Sequence, residues 1–219
     1  MSRLRSCLVL ASVLALVTVL TSSAQGEAPA ARQGFRGERG SFVGLLSLEQ
    51  VQKELKLTDD QLAKVKEIGE KLRTEMREQY AGLREIQNVQ ERRAKMTEVS
   101  DQFDEKARGQ FREVLSQEQM MRLYQIRMQV RGAVYALNNT WVAERLKLTD
   151  EQKKKAAELQ KATQDKMFEA FSQMGDLSQE ERREKITKMR SEAEEKALAL
   201  LTAEQKEAFE KMKGAKLEL

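Results

Sequence analysis

The sequence predicts an all-α fold, and three observations support this prediction. From Ala30 to Leu219 the chain contains no proline, the residue that most strongly interrupts a helix. The motif Leu-(Ser/Thr)-x-x-Gln, which signals a helix start, occurs five times. Apolar residues recur every three or four positions, which predicts long, bent, amphipathic helices. The alternation of β-branched and aromatic residues that is typical of strands does not occur in the sequence.

Each copy of the motif is a potential capping box. The hydroxyl accepts a hydrogen bond from the backbone N–H three residues later, and the Gln side chain reaches back to the N-cap N–H. The copies begin at Leu46, Leu57, Leu115, Leu148 and Leu201, and a looser copy runs from Leu177 to Glu181. We expect them to mark helix starts; a direct role in recognition is the alternative. The capping residues that we single out are Leu57, Thr58, Gln61, Leu115, Ser116, Gln119, Leu148, Thr149, Gln152, Leu201, Thr202 and Gln205.

Residues 1–24 have the pattern of a secretory signal peptide. Arg3 and Arg5 precede an uncharged apolar run from Cys7 to Leu20, and small residues around Ala24 form a cleavage site. We therefore expect export to the periplasm or the medium after cleavage near Ala24, with an uncleaved N-terminal anchor as the alternative. Cleavage removes the only cysteine, so the exported chain must be stabilised by packing and helix caps without disulfides.

Residues 25–45 are rich in glycine and are expected to form a disordered linker. The first helical region, residues 46–138, begins with a short helix from Ser47 to Lys56. A long helix from Thr58 to about Asn88 follows, and its apolar stripe either bends near Asn88 or continues to Val114. A further helix is expected from Ser116 to Leu137.

The second helical region, residues 139–219, repeats this order. After a break at Asn138 and Asn139, Thr140 is expected to cap a short helix that extends through Lys147. The remaining helices are expected from Thr149 to Met174, from Ser178 to Leu200 and from Thr202 to Lys213.

The two regions are related by an internal duplication. Val51–Gln61 and Val142–Gln152 are identical at seven of eleven positions, and Glu91–Met96 aligns with Glu181–Ile186. A single period of about 90 residues accounts for both alignments. We therefore predict two tandem helical units.

The paired Leu-Thr-x-x-Gln motifs, combined with a signal peptide, resemble the Spy/CpxP family of periplasmic chaperones and envelope-stress regulators. The matching segments are Leu57–Gln61 with Leu115–Gln119, and Leu148–Gln152 with Leu201–Gln205. The resemblance implies a thin, curved, antiparallel dimer whose concave face binds unfolded proteins without ATP, through mixed basic and apolar patches. This chain departs from the family in carrying two units, so we expect an intramolecular pseudo-dimer, present as a monomer or as a homodimer.

Apolar and basic side chains are the candidates for client binding. They are Met76, Arg92, Arg93, Met120, Met121, Phe171, Met174, Arg182 and Arg183. For the methionines the alternative is a place in the core; for the arginines it is pairing with nearby glutamates on a solvated face. The neighbours Met120 and Met121 cannot share a helix face, so we expect one of them to be exposed. Trp141 is expected to anchor the core between the two regions.

The composition argues against several classes of function. The sequence has no histidine and no cysteine after the signal, so we expect no metal site, no cofactor and no enzyme activity. The net charge of +4 falls to +2 when Arg3 and Arg5 are removed, which does not indicate nucleic-acid binding. We expect unfolded or partly folded proteins as partners, with no stable membrane insertion. A regulatory or scaffolding protein with one envelope partner is the alternative, and a lipid-surface binder is a third possibility.

Overall fold

The computed structural model describes residues 40–219, and each regular element in this range is a helix. The predicted all-α class is confirmed. The expected signal peptide and residues 25–39 of the expected linker lie outside the described residues. A 3₁₀ turn at Leu83–Glu85 accompanies ten α-helices: α1 (Phe42–Leu46), α2 (Glu49–Glu54), α3 (Asp59–Gly82), α4 (Val89–Val114), α5 (Gln117–Arg131), α6 (Ala133–Ala136), α7 (Thr140–Arg145), α8 (Asp150–Ser172), α9 (Gln179–Ala199) and α10 (Ala203–Lys213).

Helix α1 occupies the end of the segment that the sequence predicted as a disordered linker, so the predicted boundary at residue 45 is wrong. The Ser41 hydroxyl accepts a hydrogen bond from the Gly44 N–H at 3.0 Å and caps the helix. Phe42 and Leu45 are fully buried. The guanidinium of Arg127 lies 4.3 Å from the centre of the Phe42 ring. A short apolar segment thus becomes ordered because the core accommodates it.

The first copy of the motif does not form a capping box, contrary to the prediction. Ser47 ends α1, and its hydroxyl donates to the Gly44 carbonyl at 2.7 Å. Helix α2 starts at Glu49, and its N-cap residue Leu48 makes no side-chain hydrogen bond. The preceding helix therefore uses the hydroxyl that would otherwise cap α2.

The long apolar stripe is divided between α3 and α4, which form an antiparallel hairpin. Asn88 caps α4 by accepting hydrogen bonds from the N–H groups of Gln90 and Glu91, at 2.9 and 3.0 Å. Glu75 on α3 forms an ion pair with Lys106 on α4. Helices α8 and α9 form a second hairpin, joined by a turn over residues 173–178.

The helix predicted from Ser116 to Leu137 ends early, at Gly132. The backbone of Gly132 is in the left-handed region, with φ of 74°, and a Cβ there would collide with the Glu194 carboxylate. That carboxylate accepts a hydrogen bond from the Ala133 N–H at 2.6 Å and so helps to start α6. Helix α7 is capped by Asn139, one residue before the predicted cap at Thr140.

The buried apolar side chains form two neighbouring clusters. The first draws on α1 to α5 and includes Phe111, Leu123 and Ile126. The second includes Met128 near the end of α5, together with Leu201 and Phe209, and otherwise draws on α6 to α10. Helix α10 packs on α5, and α6 packs on α8 and α9, so the two clusters are adjacent. Trp141 belongs to neither cluster: it is 41% exposed, so its predicted role as a core anchor is wrong.

At the base of the first hairpin, two capping boxes are joined through their glutamines, Gln61 and Gln119, the first glutamine pair. In each box the Gln Oε1 accepts from the N-cap N–H, of Thr58 at 3.1 Å and of Ser116 at 2.8 Å. The two amides also bond to each other: Gln61 Nε2 donates to Gln119 Oε1 at 2.8 Å, and the reverse bond is 3.0 Å. The two bonds between the glutamine amides thus hold the starts of α3 and α5 together.

The remaining amide hydrogens of the first glutamine pair bind backbone carbonyls. Gln61 Nε2 donates to the Val114 carbonyl at 2.9 Å, and Gln119 Nε2 donates to the Leu55 carbonyl at 3.0 Å. Both acceptors lie at the ends of preceding helices, where carbonyls lack an intrahelical partner. Each half-buried amide therefore makes two bonds as donor and two as acceptor.

The second hairpin has the same arrangement, formed by Gln152 and Gln205, the second glutamine pair. Their amides bond reciprocally at 2.7 and 3.2 Å. Gln152 Nε2 also donates to the Leu200 carbonyl at 2.8 Å, and Gln205 Nε2 donates to the Leu146 carbonyl at 3.2 Å. Each amide oxygen again accepts from the N–H of its own cap at 3.0 Å.

The looser copy of the motif shows why glutamine occurs at these four positions. The Ser178 box, at the turn of the second hairpin, contains Glu181, whose carboxylate accepts from the Ser178 N–H at 2.8 Å. A carboxylate completes an isolated capping box, but it has no hydrogen to donate to a second box. Only an amide can make the reciprocal bonds at the hairpin bases.

Two lysines occupy the left-handed region at equivalent places before the paired motifs. Lys56 has φ of 50° after α2, and Lys147 has φ of 52° after α7. Each lysine reverses the chain at the end of its helix, so that the N–H of the next residue donates to a carbonyl of that helix. Leu57 donates to the Gln52 carbonyl at 3.2 Å, and Leu148 donates to the Ala143 carbonyl at 2.9 Å. An L-residue with a side chain pays about 1 kcal/mol or more for this backbone conformation.

We predict that Gln61→Glu lowers the free energy of unfolding by about 2 kcal/mol, because the carboxylate loses two donor bonds and faces the Gln119 and Val114 oxygens. Urea unfolding followed by circular dichroism measures the effect. Glu181→Gln is the matched control and should change stability by less than about 0.5 kcal/mol, since either residue completes an isolated box. Equal effects of the two substitutions would show that the reciprocal amide bonds do not stabilise the fold.

A second prediction concerns the left-handed lysines. Lys56→Gly should raise the free energy of unfolding by roughly 0.5 kcal/mol, since relief of the backbone conformation outweighs the greater flexibility of glycine in the unfolded chain. The control is Lys66→Gly at an exposed position in the interior of α3, which should be destabilising by about 1 kcal/mol. Thermal unfolding of both variants decides the sign; a loss of stability in Lys56→Gly would contradict this account.

A third prediction follows from the titration of the isolated box. Hydrogen bonds from the Ser178 hydroxyl and N–H lower the pKa of Glu181. A carboxyl whose pKa is lower in the folded state stabilises the fold above its unfolded pKa, and this contribution is lost as pH falls through the folded value. The melting temperature of the wild type minus that of Glu181→Gln should therefore decrease as the pH is lowered from 7 to 3. A difference that is independent of pH would contradict the prediction.

Candidate functional site

Exposed apolar side chains collect near the turn of each hairpin. Val89 and Met96 on α4 are 43% and 39% exposed, and Phe168 and Phe171 on α8 are 39% and 43% exposed. Residues three or four positions apart share a helix face, so Val89, Arg93 and Met96 line one face of α4, and the two phenylalanines line one face of α8. We call Val89, Arg93, Met96, Phe168 and Phe171 the tip surface.

A single contact joins the two parts of the tip surface. The Arg93 guanidinium carbon lies 3.0 Å from the centre of the Phe168 ring, so the cation covers one face of the ring. The Arg93 Nε is buried without a hydrogen-bond partner. The surface therefore combines exposed aromatic and aliphatic area with a guanidinium that covers one of its rings.

Two of the predicted client-binding methionines are unavailable, which corrects the prediction for them. Met120 is 5% exposed in the first cluster, and Met174 is 3% exposed at the end of the second hairpin. Met121 is 43% exposed, as expected from its position beside Met120. It lies on α5, near the hairpin bases, and the structure does not bring it to the tip surface.

Arg92 and Arg182 occupy the same place in the two hairpins, the fourth residue of α4 and of α9. Arg92 donates to the Ile86 carbonyl at 3.0 Å, and Arg182 donates to the Gly175 carbonyl at 2.7 Å. Both side chains thus close the turns behind them. Arg183 is exposed.

The expected ion pairs of these four arginines with Glu91, Glu181 or Glu184 are not formed among residues 40–219. Glu181 is instead held in its capping box. Within residues 40–219 these arginines are therefore not part of a salt-bridged face with those glutamates.

Met76 is half-buried and lines a small apolar cavity between α1, α3 and α4, next to Tyr80 and Phe103. The Tyr80 hydroxyl donates to the Met96 carbonyl at 3.4 Å, and burial raises the pKa of Tyr80. This bond connects the wall of the cavity to the helix that carries the tip surface. The cavity is therefore part of the support of that surface.

The twelve capping residues lie at the opposite ends of the hairpins. Because α3 and α4 are antiparallel, the start of α3 adjoins the end of α4, where Gln61 binds Val114. The same holds for Gln152 and Leu200 in the second hairpin. The capping motif therefore supports the hairpin bases and does not contribute side chains to the tip surface.

Val89, Met96 and Phe168 belong to the tip surface but were not candidates from the sequence. Met96 belongs to the apolar stripe, Val89 lies between Asn88 and Gln90, and Phe168 lies between Met167 and Glu169. The position of Val89 directly after the break at Asn88 was the available signal, since the end of a thin hairpin cannot be covered on every side.

The arrangement offers contact area and positive charge, which are properties of a binding surface. Among residues 40–219 no three His, Cys, Asp or Glu side chains group closely enough to hold a metal ion. No helix in the described part of the chain is both long and apolar enough to cross a membrane. Comparison with known protein families, with curated proteins and with solved structures gave no match to this chain.

Proposed function

We propose that this protein is an exported, ATP-independent chaperone that binds unfolded or aggregation-prone proteins in the cell envelope. The observation that carries the proposal is the tip surface, where Phe168 and Phe171 expose about two fifths of their area beside Arg93. Exposed aromatic side chains clustered with a cation are uncommon on a monomeric surface without a binding role.

The chemistry of the tip surface suits partners without a fixed sequence. Aromatic and thioether side chains gain energy from any apolar segment, and methionine adapts its shape to different partners. Arginine adds attraction to carboxylates and to backbone carbonyls. Contacts of this kind are individually weak, so a bound chain can leave without an energy source.

We further propose that the chain contains two tandem Spy/CpxP-like units that act as an intramolecular pseudo-dimer. The second glutamine pair repeats the first, Lys147 repeats Lys56, and Arg182 repeats Arg92. A fused pair places two hairpins in one chain, so the contact between Arg93 and Phe168 needs no second subunit. A homodimer of the chain remains the alternative assembly.

The remaining parts of the proposal follow from the composition. We propose that the chain acts in the periplasm or outside the cell after cleavage near Ala24, without a cofactor, without nucleic-acid partners and without catalytic chemistry. Interspersed acidic and basic residues keep the exported chain soluble, and a low net charge limits non-specific binding to nucleic acids.

The proposal predicts that residues 25–219 suppress light scattering by reduced lysozyme at near-stoichiometric ratios without ATP. Phe168→Ser combined with Phe171→Ser should raise the concentration needed for half suppression at least fivefold, because the apolar area at the tips is lost. Trp141→Ser is the matched control: Trp141 is equally exposed but lies near the hairpin bases, so suppression should be unchanged.

Failure of the wild type to slow the aggregation of several unrelated clients, even in excess, would refute the proposal. Saturable one-to-one capture of a single envelope protein, with no effect on unfolded clients, would instead establish the regulatory or scaffolding alternative. Mass measured by light scattering in the same samples distinguishes the monomeric pseudo-dimer from a homodimer.

A further inference from the structure

The last six residues of the chain, 214–219, lie along α5 as an extended segment, the tail. Gly214 ends α10 with φ of 64°, a conformation that turns the chain away from the helix axis. A Cβ at Gly214 would collide with the amide of Gln125, so the backbone passes directly over α5. Leu217 packs against the first apolar cluster.

The contacts of the tail with α5 are made almost entirely by its backbone. Gln129 Nε2 donates to the carbonyls of Lys213 and Ala215, at 2.7 and 2.8 Å, and Gln129 Oε1 accepts from the Leu217 N–H at 3.0 Å. Arg122 also donates to the Ala215 carbonyl, at 2.8 Å. Three hydrogen bonds thus join backbone groups of the tail to α5, a fourth joins the last residue of α10, and one tail side chain, that of Leu217, packs on the first cluster.

Two of the side chains beneath the tail, Arg122 and Gln125, also have contacts that do not involve the tail. Arg122 forms an ion pair with Glu54 on α2 at 2.7 Å and donates to Gln125 at 3.1 Å. The other tail side chains point away from α5: Lys216 pairs with Glu218 at the surface, and Leu219 is 52% exposed. We call the surface formed by Arg122, Gln125 and Gln129 the tail groove.

From these contacts we infer that the tail groove is a binding site for an extended polypeptide segment, and that the chain's own tail occupies it as a displaceable strap. The groove recognises backbone carbonyl and N–H groups and one apolar side chain, which any unfolded chain can offer. The site lies apart from the tip surface. This inference rests on the proposed function, because it assigns a second contact to the same unfolded partners.

Competition between the strap and a client is expected because both make the same bonds. The covalent link to α10 gives the strap a high effective concentration at the groove, so the strap fills the groove when no partner is present. A long client that also binds the tip surface gains the same advantage and can replace it. Release of the strap would then expose the part of the first cluster that Leu217 covers.

The test uses residues 25–213, which lack the tail, and a fluorescein-labelled peptide with the tail sequence Gly-Ala-Lys-Leu-Glu-Leu. Fluorescence anisotropy should show binding to the shortened chain at least tenfold tighter than to residues 25–219, whose groove is filled. A peptide with the Leu217→Ser change should not bind. A peptide with Leu219→Ser should bind as before, since that side chain faces solvent.

Reduced, carboxymethylated lactalbumin, a permanently unfolded protein, should displace the peptide from the groove. Absence of peptide binding to a shortened chain with native circular dichroism would overturn the inference. So would peptide binding that the unfolded protein cannot displace, because the groove would then serve the tail alone.

Two full-length variants, Leu217→Ser and Leu219→Ser, keep the test decisive if the shortened chain does not fold. The first should bind the labelled peptide more tightly than the wild type, and the second should not; equal binding by the two would count against the strap. Displacement by lactalbumin without any suppression of lysozyme aggregation would mean that the chaperone proposal fails while the groove remains.

Discussion

The reciprocal bonding of glutamine amides at the hairpin bases is the interaction on which the rest of the structure depends. Each amide completes its own capping box and at the same time bonds to the opposite box and to a free helix-end carbonyl. The position of a helix start depends on neighbouring residues, whereas the direction in which the helix packs depends on residues distant in the chain. The paired glutamines contribute to both. Residues 40–219 contain no cysteine, so no disulfide holds them, and four such side chains hold the helix ends together.

The paired glutamines at the bases differ from the arginines at the turns. Each glutamine amide has partners for all four of its hydrogen bonds, whereas Arg93 and Arg182 each keep a buried Nε without a hydrogen bond. Apolar area is also left exposed there, because α4 and α8 extend beyond the two clusters. The contacts that hold the helix ends together thus lie at one end of each hairpin, and the exposed apolar area lies near the other.

Helix α5 connects the parts of the molecule. Its buried face carries Leu123 and Ile126 into the first cluster, and Met128 near its end belongs to the second. Its outer face holds the tail through Gln129 and Arg122. Helix α10 also packs on α5, so the tail and the helix that precedes it both contact α5.

The sequence by itself determined the helical class, the starts of α3, α5, α8, α9 and α10, and the exposure of one of the two neighbouring methionines. These features depend on residues within about one helical turn, whose hydrogen bonds and spacing are local. Only the tertiary structure decided the pairing of the glutamines, the ordering of α1, the break at Gly132 and the burial of Met120 and Met174. The physical reason is that a capping bond is satisfied within its own helix, whereas burial, and the other three bonds of each glutamine amide, require a neighbour that is distant in the chain.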